Sequence, residues 1–228
     1  SPDLLVSHLD DETHTLYASA GPMLFEDRTD ASGLAPPTIL VVGFGVSTAD
    51  FDLDGRTDVF LANGHLQPNI SLYKSHVTYE QPDFLLAAGP GGVFTAGMPV
   101  PTASRASRSS AAGDLDGDGD ADLVVTSMGG PAVLLENRND GAALVLTLRQ
   151  DSPNPDGVGA RVVVRSPGTD AQVRWILAGS SYQATEDPRA LFGLGTATEV
   201  TVTVTWPDGV RQEFGPLPAG QHILRRAP

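Results

Sequence analysis

The chain has no cysteine, and lysine occurs only once among its 228 residues. The lack of cysteine excludes disulfide bonds, thiolate metal sites and a cysteine nucleophile. Aromatic residues make up only 6%, and no apolar run approaches the length of a membrane-spanning helix, so we expect no membrane insertion. Positive charge is also scarce. The net charge of −14 argues against nucleic acid as a direct partner.

The abundant acidic residues are concentrated in two short stretches with the same spacing. Asp50–Asp58 and Asp114–Asp122 each carry Asp at relative positions 1, 3, 5 and 9, with glycine at position 6. Oxygen ligands spaced in this way along a tight turn are typical of a calcium loop, and the residue at position 7 can add its backbone carbonyl. The sequence therefore predicts two Ca2+ sites. Their predicted ligands are Asp50, Asp52, Asp54, Arg56, Asp58, Asp114, Asp116, Asp118, Asp120 and Asp122.

Two other interpretations of these stretches fit the sequence less well. An EF-hand needs a bidentate Glu at position 12 and flanking helices, whereas position 12 is Leu61 in the first stretch and Val125 in the second. The residues around Leu61 and Val125 are apolar or β-branched, which indicates buried strands. A polar turn that is rich in Asp by chance predicts no agreement between the two stretches. We therefore favour two calcium loops flanked by strands.

The similarity between the two loops extends into the residues that follow them. Asp58–Asn63 matches Asp122–Ser127, and both match Asp3–His8, which puts Asp3 at position 9 of a third, incomplete loop. An apolar pair follows each copy, at Leu16-Tyr17, Leu72-Tyr73 and Leu134-Leu135. Short strands separated by Gly, Pro, Asn and Ser predict an all-β repeat such as a propeller blade. Because a propeller takes about 4 to 8 blades, we expect missing upstream blades of the same protein to complete the ring.

From Asn137 onward the sequence changes to alternating strands. In Glu199–Trp206, three valines and Trp206 share one face while three threonines share the other, the pattern of a half-buried strand. With turns expected at Gly193–Gly195 and Pro207–Gly209, this part predicts an antiparallel β-sandwich of about seven strands. The expected fold is therefore all-β. Residues 1–136 would form incomplete calcium-binding blades, and residues 137–228 would form the sandwich.

Both parts of the chain resemble known families. The loops with their flanking strands, and Gly43-Phe44-Gly45 before the first loop, resemble FG-GAP (VCBS) repeats, the calcium-bearing blades of integrin α-chain-like propellers. The tail is similar to the ASPIC/UnbV domain of the cartilage acidic protein family. The residues that carry this similarity are Asn154–Arg161, Gly179–Tyr182, Leu191–Gly195 and Val204–Gly209. The resemblance implies a secreted, cell-surface or periplasmic calcium-binding protein of binding or adhesive type, with any signal peptide upstream of this fragment.

Other chemistry has little support in the sequence. The five histidines form no HxxxH or HExxH pair that would indicate zinc, and Asp10-Asp11-Glu12 is interpreted as a solvated turn. Trp175 and Trp206 lie on strands with apolar neighbours, so core packing is favoured over a sugar-stacking platform.

Two hypotheses for function follow from this reading. The first is a non-catalytic binding module for a protein or glycan ligand, with calcium holding the scaffold and no catalytic residue. The alternative is an accessory enzyme or a protein of secondary-metabolite biosynthesis, since relatives of the tail occur in bacterial enediyne clusters. The first is favoured because the sequence offers no set of nucleophile, base and orienting residue.

Overall fold

The computed structural model describes residues 2–95, 98–100, 103–151 and 153–227. The structure is 46% strand and 5% helical, which confirms the predicted all-β class. The strands before residue 137 are β1 (Leu4–Val6), β2 (Thr15–Gly21), β3 (Leu24–Asp27), β4 (Gly43–Ala49), β5 (Asp58–Asn63), β6 (Phe84–Leu86), β7 (Ala88–Gly89), β8 (Val93–Phe94), β9 (Met98–Pro99), β10 (Ser107–Gly113), β11 (Asp122–Ser127) and β12 (Val133–Leu135). One short helix, α1 (Ala35–Thr38), and 3-10 turns at Ile70–Leu72 and Pro90–Gly92 complete this part.

The strands after residue 137 number seven in the described part of the chain. They are β13 (Ala142–Arg149), β14 (Arg161–Arg165), β15 (Gln172–Trp175), β16 (Ala190–Gly195), β17 (Glu199–Thr205), β18 (Arg211–Pro218) and β19 (Gly220–Arg225).

Three antiparallel sheets and one small hairpin make up the N-terminal part. The strand orders are β1-β2-β3, β4-β5-β6-β9 and β10-β11-β12, with β7 and β8 paired separately. Each predicted calcium loop connects two neighbouring strands, β4 to β5 for the first and β10 to β11 for the second. The loops therefore lie at the same place in two equivalent sheets. Closure into a propeller stays a prediction.

The middle sheet is packed on both faces, because β5 is buried along its whole length. Phe60 and Ala62 join a cluster with Leu123 and Val125 of the third sheet. Val59 and Leu61 point the other way, into a cluster that includes Leu34, just before α1, and against which Leu5 and Leu16 of the first sheet pack. A strand buried on both faces has a continuous apolar run rather than an alternating one, and this explains Val59-Phe60-Leu61-Ala62.

The repeat predicted from the sequence has one misplaced element. The strands that follow position 9 are β1, β5 and β11, and their partners are β2, β6 and β12. Leu16-Tyr17 and Leu134-Leu135 lie on these partner strands, but Leu72-Tyr73 lies at a 3-10 turn. The true partner of β5 is β6, so residues 64–83 form an insertion that the pairwise match of apolar residues overlooked.

Residues after 137 form the predicted two-sheet sandwich. One sheet has the order β16-β13-β19 and the other β15-β14-β17-β18. Between them lies a core that includes Leu146, Val162, Phe192, Val202 and Trp206. One feature differs from the prediction: β13 and β19 run parallel, whereas the other pairs are antiparallel.

Two details of the sandwich correct the sequence analysis. Gly193–Gly195 is not a turn but the end of strand β16. Trp206 is buried as expected, whereas Trp175 is 37% exposed and does not belong to the core cluster. Trp175 ends an outer strand, β15, where the sheet gives no further cover.

No helix among the described residues combines the length and the apolar character that a membrane crossing requires.

Candidate metal sites

The two acidic loops fold alike, and their backbone shows why glycine is needed. Gly55 and Gly119, both at position 6, have φ of 94° and 102°, in the region that favours glycine. Position 4 is also left-handed, with φ of 59° at Leu53 and 87° at Gly117. Leu53 adopts this strained conformation with its side chain only 3% exposed, so burial holds the loop in a shape that its own residue type disfavours.

Carboxylates inside each loop bind backbone N–H groups two residues ahead. Asp116 Oδ1 accepts from Asp118 N at 3.2 Å, and Asp118 Oδ1 accepts from Asp120 N at 3.1 Å. The first loop repeats this at Asp52 and Asp54, with distances of 3.2 and 2.9 Å. These Asx turns coil the loop tightly, which brings alternate side chains to one side.

Aspartate at position 9 closes each loop onto the sheet. Asp58 accepts from the N–H of Phe51 at 2.9 Å and of Ala88 at 2.8 Å. Asp122 does the same, and both of its distances, to Leu115 N and Asn137 N, are 2.9 Å. In each case one donor is the residue at position 2 of the loop. The other donor lies two residues beyond the residue that pairs with position 10 in the neighbouring strand. Position 9 is therefore a structural anchor as well as a candidate ligand.

Asp3 makes the equivalent contact in the first sheet. Leu4 pairs with Tyr17, and the residue two beyond it, Ser19, donates its N–H to Asp3 Oδ1 at 2.8 Å. This geometry agrees with the interpretation of Asp3 as position 9 of a third repeat.

Three carboxylates converge in each loop. Ligand atoms of Asp50, Asp52 and Asp58 lie within 4.8 Å of one another, and so do those of Asp114, Asp116 and Asp118. Asp50 and Asp58 are buried while Asp52 is exposed, and in the second group only Asp114 is buried. Each group therefore has a buried side and a solvent-exposed side.

The remaining predicted ligands are placed less uniformly. The carboxylate of Asp54 is bound by the Arg56 guanidinium, whose Nε also donates to Ala88 O at 2.5 Å. Asp120 Oδ2 accepts from Asn139 N at 2.6 Å, and its Oδ1 is buried with no hydrogen-bond partner among the described residues. Metal coordination by the ten predicted residues, including the carbonyls of Arg56 and Asp120, stays a prediction.

Electrostatics at both loops disfavour the charged carboxylates when nothing binds them. Burial raises the pKa of Asp50 to about 6, although N–H groups of Gly55 and Gly193 and the charge of Arg174 lower it in part. Burial likewise raises the pKa of Asp120 to about 6, with added repulsion from Asp118, Asp122 and Asp116. A bound divalent cation would relieve this repulsion.

The donor set fits a hard divalent cation. All converging side-chain ligands are carboxylate oxygens, the class that calcium prefers at six to eight positions. The buried, unpartnered Oδ1 of Asp120 is a further oxygen with no other use in the described structure. The acidic clusters can therefore hold a metal ion, and the ion would neutralise charges that the protein leaves unpaired.

Four residues beside the loops escaped the sequence analysis because they lie far away along the chain. Gly193 N donates to Asp50 Oδ2 at 3.0 Å, and Arg174 places its charge near Asp50 and Asp58. Arg189 contacts Asp114, and Asn137 joins the two loops by donating its N–H to Asp122 and its side chain to Phe51 O. No local pattern marks these residues, since each acts through the tertiary fold.

The turn Asp10-Asp11-Glu12 is not simply solvated, which corrects the sequence analysis. The Asp10 side chain is 7% exposed and accepts from His65 Nε2 at 3.1 Å and from the ammonium of Lys74. Lys74 also binds Asp11 at 2.7 Å. Burial raises the pKa of Asp10, but the bonds from Lys74 and His65 outweigh it, and the net shift is downward. The cluster attaches the segment 64–83 to the connection between β1 and β2 of the first sheet.

Comparisons with known proteins agree with this architecture. Residues 106–146 match the family model for the FG-GAP repeat, and residues 150–226 match the model for ASPIC and UnbV. The predicted boundary between residues 136 and 137 stays a prediction.

Curated relatives carry one name. Cartilage acidic protein 1 of Homo sapiens is 28% identical over 211 residues, or 86% of this chain and 29% of the relative. Its counterpart from Xenopus tropicalis is 30% identical over 176 residues, or 72% of this chain and 25% of the relative. The chain thus spans less than a third of the length of these relatives. Two segments of the chain thus match the FG-GAP repeat and the ASPIC/UnbV domain, in that order, and the chain is similar to the cartilage acidic proteins.

Proposed function

We propose that this chain is a non-catalytic, calcium-binding part of an extracellular protein that binds a protein or a glycan. One observation carries the proposal: two loops far apart in sequence each gather three carboxylates within 4.8 Å, and both repeat the backbone hydrogen bonds of position 9. Positions 1 and 3 belong to both groups, and this repetition is hard to reconcile with an acidic turn formed by chance. Neither family description names a catalytic activity.

Calcium acts in this proposal as a structural ion. The carboxylates at positions 1 and 9 are buried and tied to backbone N–H groups, so a cation at the loop braces the connection between two strands. Binding energy that is available only to the folded loop adds to the stability of the folded chain. Exposed carboxylates such as Asp52 and Asp116 leave one side of each site open to solvent.

An extracellular setting, secreted, cell-surface or periplasmic, completes the proposal. The relatives are called cartilage acidic protein 1, and cartilage is a tissue built largely of extracellular matrix. The chain shares the acidity in that name, with a net charge of −14.

Calcium titration calorimetry tests the metal part of the proposal. We expect two calcium ions per chain in the wild type and one in Asp52→Ala or Asp116→Ala, with magnesium bound more weakly because it demands stricter octahedral geometry. Glu12→Ala, an exposed acidic residue outside both loops, serves as the control and should still bind two. Absence of calcium binding to the wild type would refute the proposal.

A ligand screen tests the binding part. Extracellular proteins and glycans should be retained by the chain in calcium and released by a chelator, without chemical change. Turnover of a retained molecule that is abolished by one substitution outside the loops would support an enzyme instead.

A further inference from the structure

Both acidic loops face the C-terminal sandwich rather than open solvent alone. The first lies against β16 and the second against β13 and β19. We infer that a divalent cation at the first loop controls the docking of the ASPIC/UnbV sandwich on the FG-GAP sheets. This inference rests on the proposed calcium binding and adds to it a coupling between metal and domain position.

The central contact is a single oxygen shared across the junction. Asp50 Oδ2 accepts from Gly55 N at 2.9 Å within its own loop and from Gly193 N at 3.0 Å on β16 of the sandwich. The carboxylate of Asp50 is fully buried. A candidate metal ligand is thus also the hydrogen-bond acceptor for the other domain, so any movement of Asp50 moves the docking surface.

Leu53 provides the apolar half of the same junction. Its buried side chain lies against Gly141, and its backbone lies against Gly193, where a Cβ atom would overlap both Leu53 and Asp50 Oδ2. Gln172 Nε2 donates to Gly193 O at 2.6 Å and sits beside Gly55. The strained backbone of Leu53 is therefore maintained by the sandwich, and the loop shape depends on docking.

Arg174 supplies charge from the sandwich side. Its guanidinium lies over the ring of Phe192 at 5.4 Å from the centroid, and its Nη2 is buried with no hydrogen-bond partner in the described residues. The charges that act on it are those of Asp50 and Asp58. Arg174 offsets part of the repulsion among the first loop's carboxylates, and a divalent cation would offset the rest.

The second loop has a weaker version of the same arrangement. Arg189, held by Asp187 at 2.7 Å, contacts the carbonyl of Asp114 and lies 3.5 Å from its Oδ2. Gln221 Nε2 donates to Gly117 O at 3.2 Å. These contacts use long side chains that can follow a moving loop, whereas at the first loop the backbone of Gly193 lies directly against the Asp50 carboxylate and the Leu53 backbone. The coupling is therefore assigned to the first loop.

Cation binding at the first loop and docking of the sandwich must influence each other equally. Without a cation, the clustered carboxylates repel one another and the loop relaxes, which withdraws Asp50 and Leu53 from β16. If the cation favours docking, docking must favour the cation by the same factor. A substitution on the sandwich that never touches the metal should then weaken calcium binding.

Gly193→Ala in the full 228-residue chain is that substitution. The added Cβ would overlap Asp50 Oδ2, and the backbone of Gly193 needs no left-handed conformation, so the change acts through the junction. We expect tenfold or greater weakening of one calcium site in a calorimetric titration, with the other unchanged. Gly130→Ala, an exposed glycine likewise without a left-handed φ, is the matched control and should bind as the wild type does. Gln172→Ala, a milder change, should give a smaller loss of the same site.

Hydrogen exchange of the wild-type chain measures the coupling in the other direction. In chelator, the amides of β16 should exchange faster than in calcium, while those of β17 in the opposite sheet should change little. Equal protection of β16 in both buffers, or unaltered calcium binding by Gly193→Ala, in a wild type that binds two ions would overturn the coupling alone. A wild type that binds no calcium would overturn the proposed function and the coupling together.

Discussion

The aspartates of one loop differ in the hydrogen bonds that they accept from the backbone. Asp122 satisfies two backbone N–H groups, whereas Asp116 is exposed and accepts one bond from within its own loop. Deleting these side chains should therefore have different consequences with and without metal.

We predict that Asp116→Ala lowers the melting temperature strongly in calcium and little in chelator. In chelator the substitution removes one of several repelling charges and one exposed bond, so little stability is lost. In calcium it also removes a ligand and the stability that comes from binding. Thermal melts in both buffers measure the difference, and equal losses in the two would contradict the assignment of Asp116 as a ligand.

Asp122→Ala is predicted to destabilise the chain in either buffer. It leaves the N–H groups of Leu115 and Asn137 without their acceptor, at about 1–3 kcal/mol for each group that stays buried. Urea unfolding in chelator isolates this effect from the metal. A loss no larger than that of Asp116→Ala would contradict the role of position 9 as an anchor.

His14 makes stability depend on pH away from the metal sites. Its ring is fully buried and Nδ1 accepts from His8 N at 3.2 Å. Burial, helped by the charge of His8, lowers the pKa of His14 from 6.5 to about 4. Between these values the unfolded chain binds the proton and the folded chain does not, so the free energy of unfolding falls as the pH falls.

We predict that the wild type loses up to roughly 3 kcal/mol more than His14→Gln between pH 6.5 and pH 4. The variant lacks the titrating ring and shares the other ionisable groups, so the difference between the two curves isolates His14. Urea unfolding at several pH values gives both curves. Parallel curves would show that His14 titrates normally in the folded chain.

At the scale of elements, the two loops differ in charge. The first has four carboxylates with Arg56 and Arg174 close by, and the second has five carboxylates with Arg189 close by. Since calcium affinity rises with the number of charged ligands, we predict that the second loop binds calcium at least about tenfold more tightly.

Variants with one intact site test this order. Asp52→Ala leaves the second loop and Asp116→Ala leaves the first, so each titration reports one dissociation constant. Tighter calcium binding at the first loop would contradict the prediction, because it would mean that Arg174 and Arg56 do not weaken calcium binding there.

Local patterns sufficed for the strands and loops, and tertiary contacts explain the errors. The spacing of Asp and Gly located both carboxylate clusters, and alternation in Glu199–Trp206 located a buried valine face. Leu72-Tyr73 matched its repeat only in residue type, because the sequence does not show that residues 64–83 leave the sheet. Asp10 looked solvated because its partners, His65 and Lys74, are more than fifty residues away.

The sequence predicted the acidic residues of the two sites but not the residues of the sandwich that contact them. Arg174, Arg189 and Gly193 reach the loops through the placement of the sandwich, which no local spacing encodes. Position 4 was also missed, since Leu53 is an unusual choice for a left-handed backbone and only its burial accounts for it.

For the whole molecule, the open edge of the first sheet has a consequence for solubility. Strand β1 is an edge strand, and Leu4 and Val6 on it are 47% and 40% exposed. An exposed edge with apolar side chains favours pairing with another chain. We predict that the chain associates at high concentration and that Leu4→Lys reduces the association. Light scattering across a concentration series measures both, and a wild type that stays monomeric throughout would contradict the prediction.

The most direct test of the central claim is the melting temperature of the wild-type chain in calcium and in chelator. Saturation of one site at a hundred times its dissociation constant adds about 2.7 kcal/mol, which raises the midpoint of a chain of this size by about 5–10 °C. The account predicts a rise of at least that size in calcium. Identical melting temperatures in the two buffers would show that the aspartates gather without a cation, and the account would be wrong.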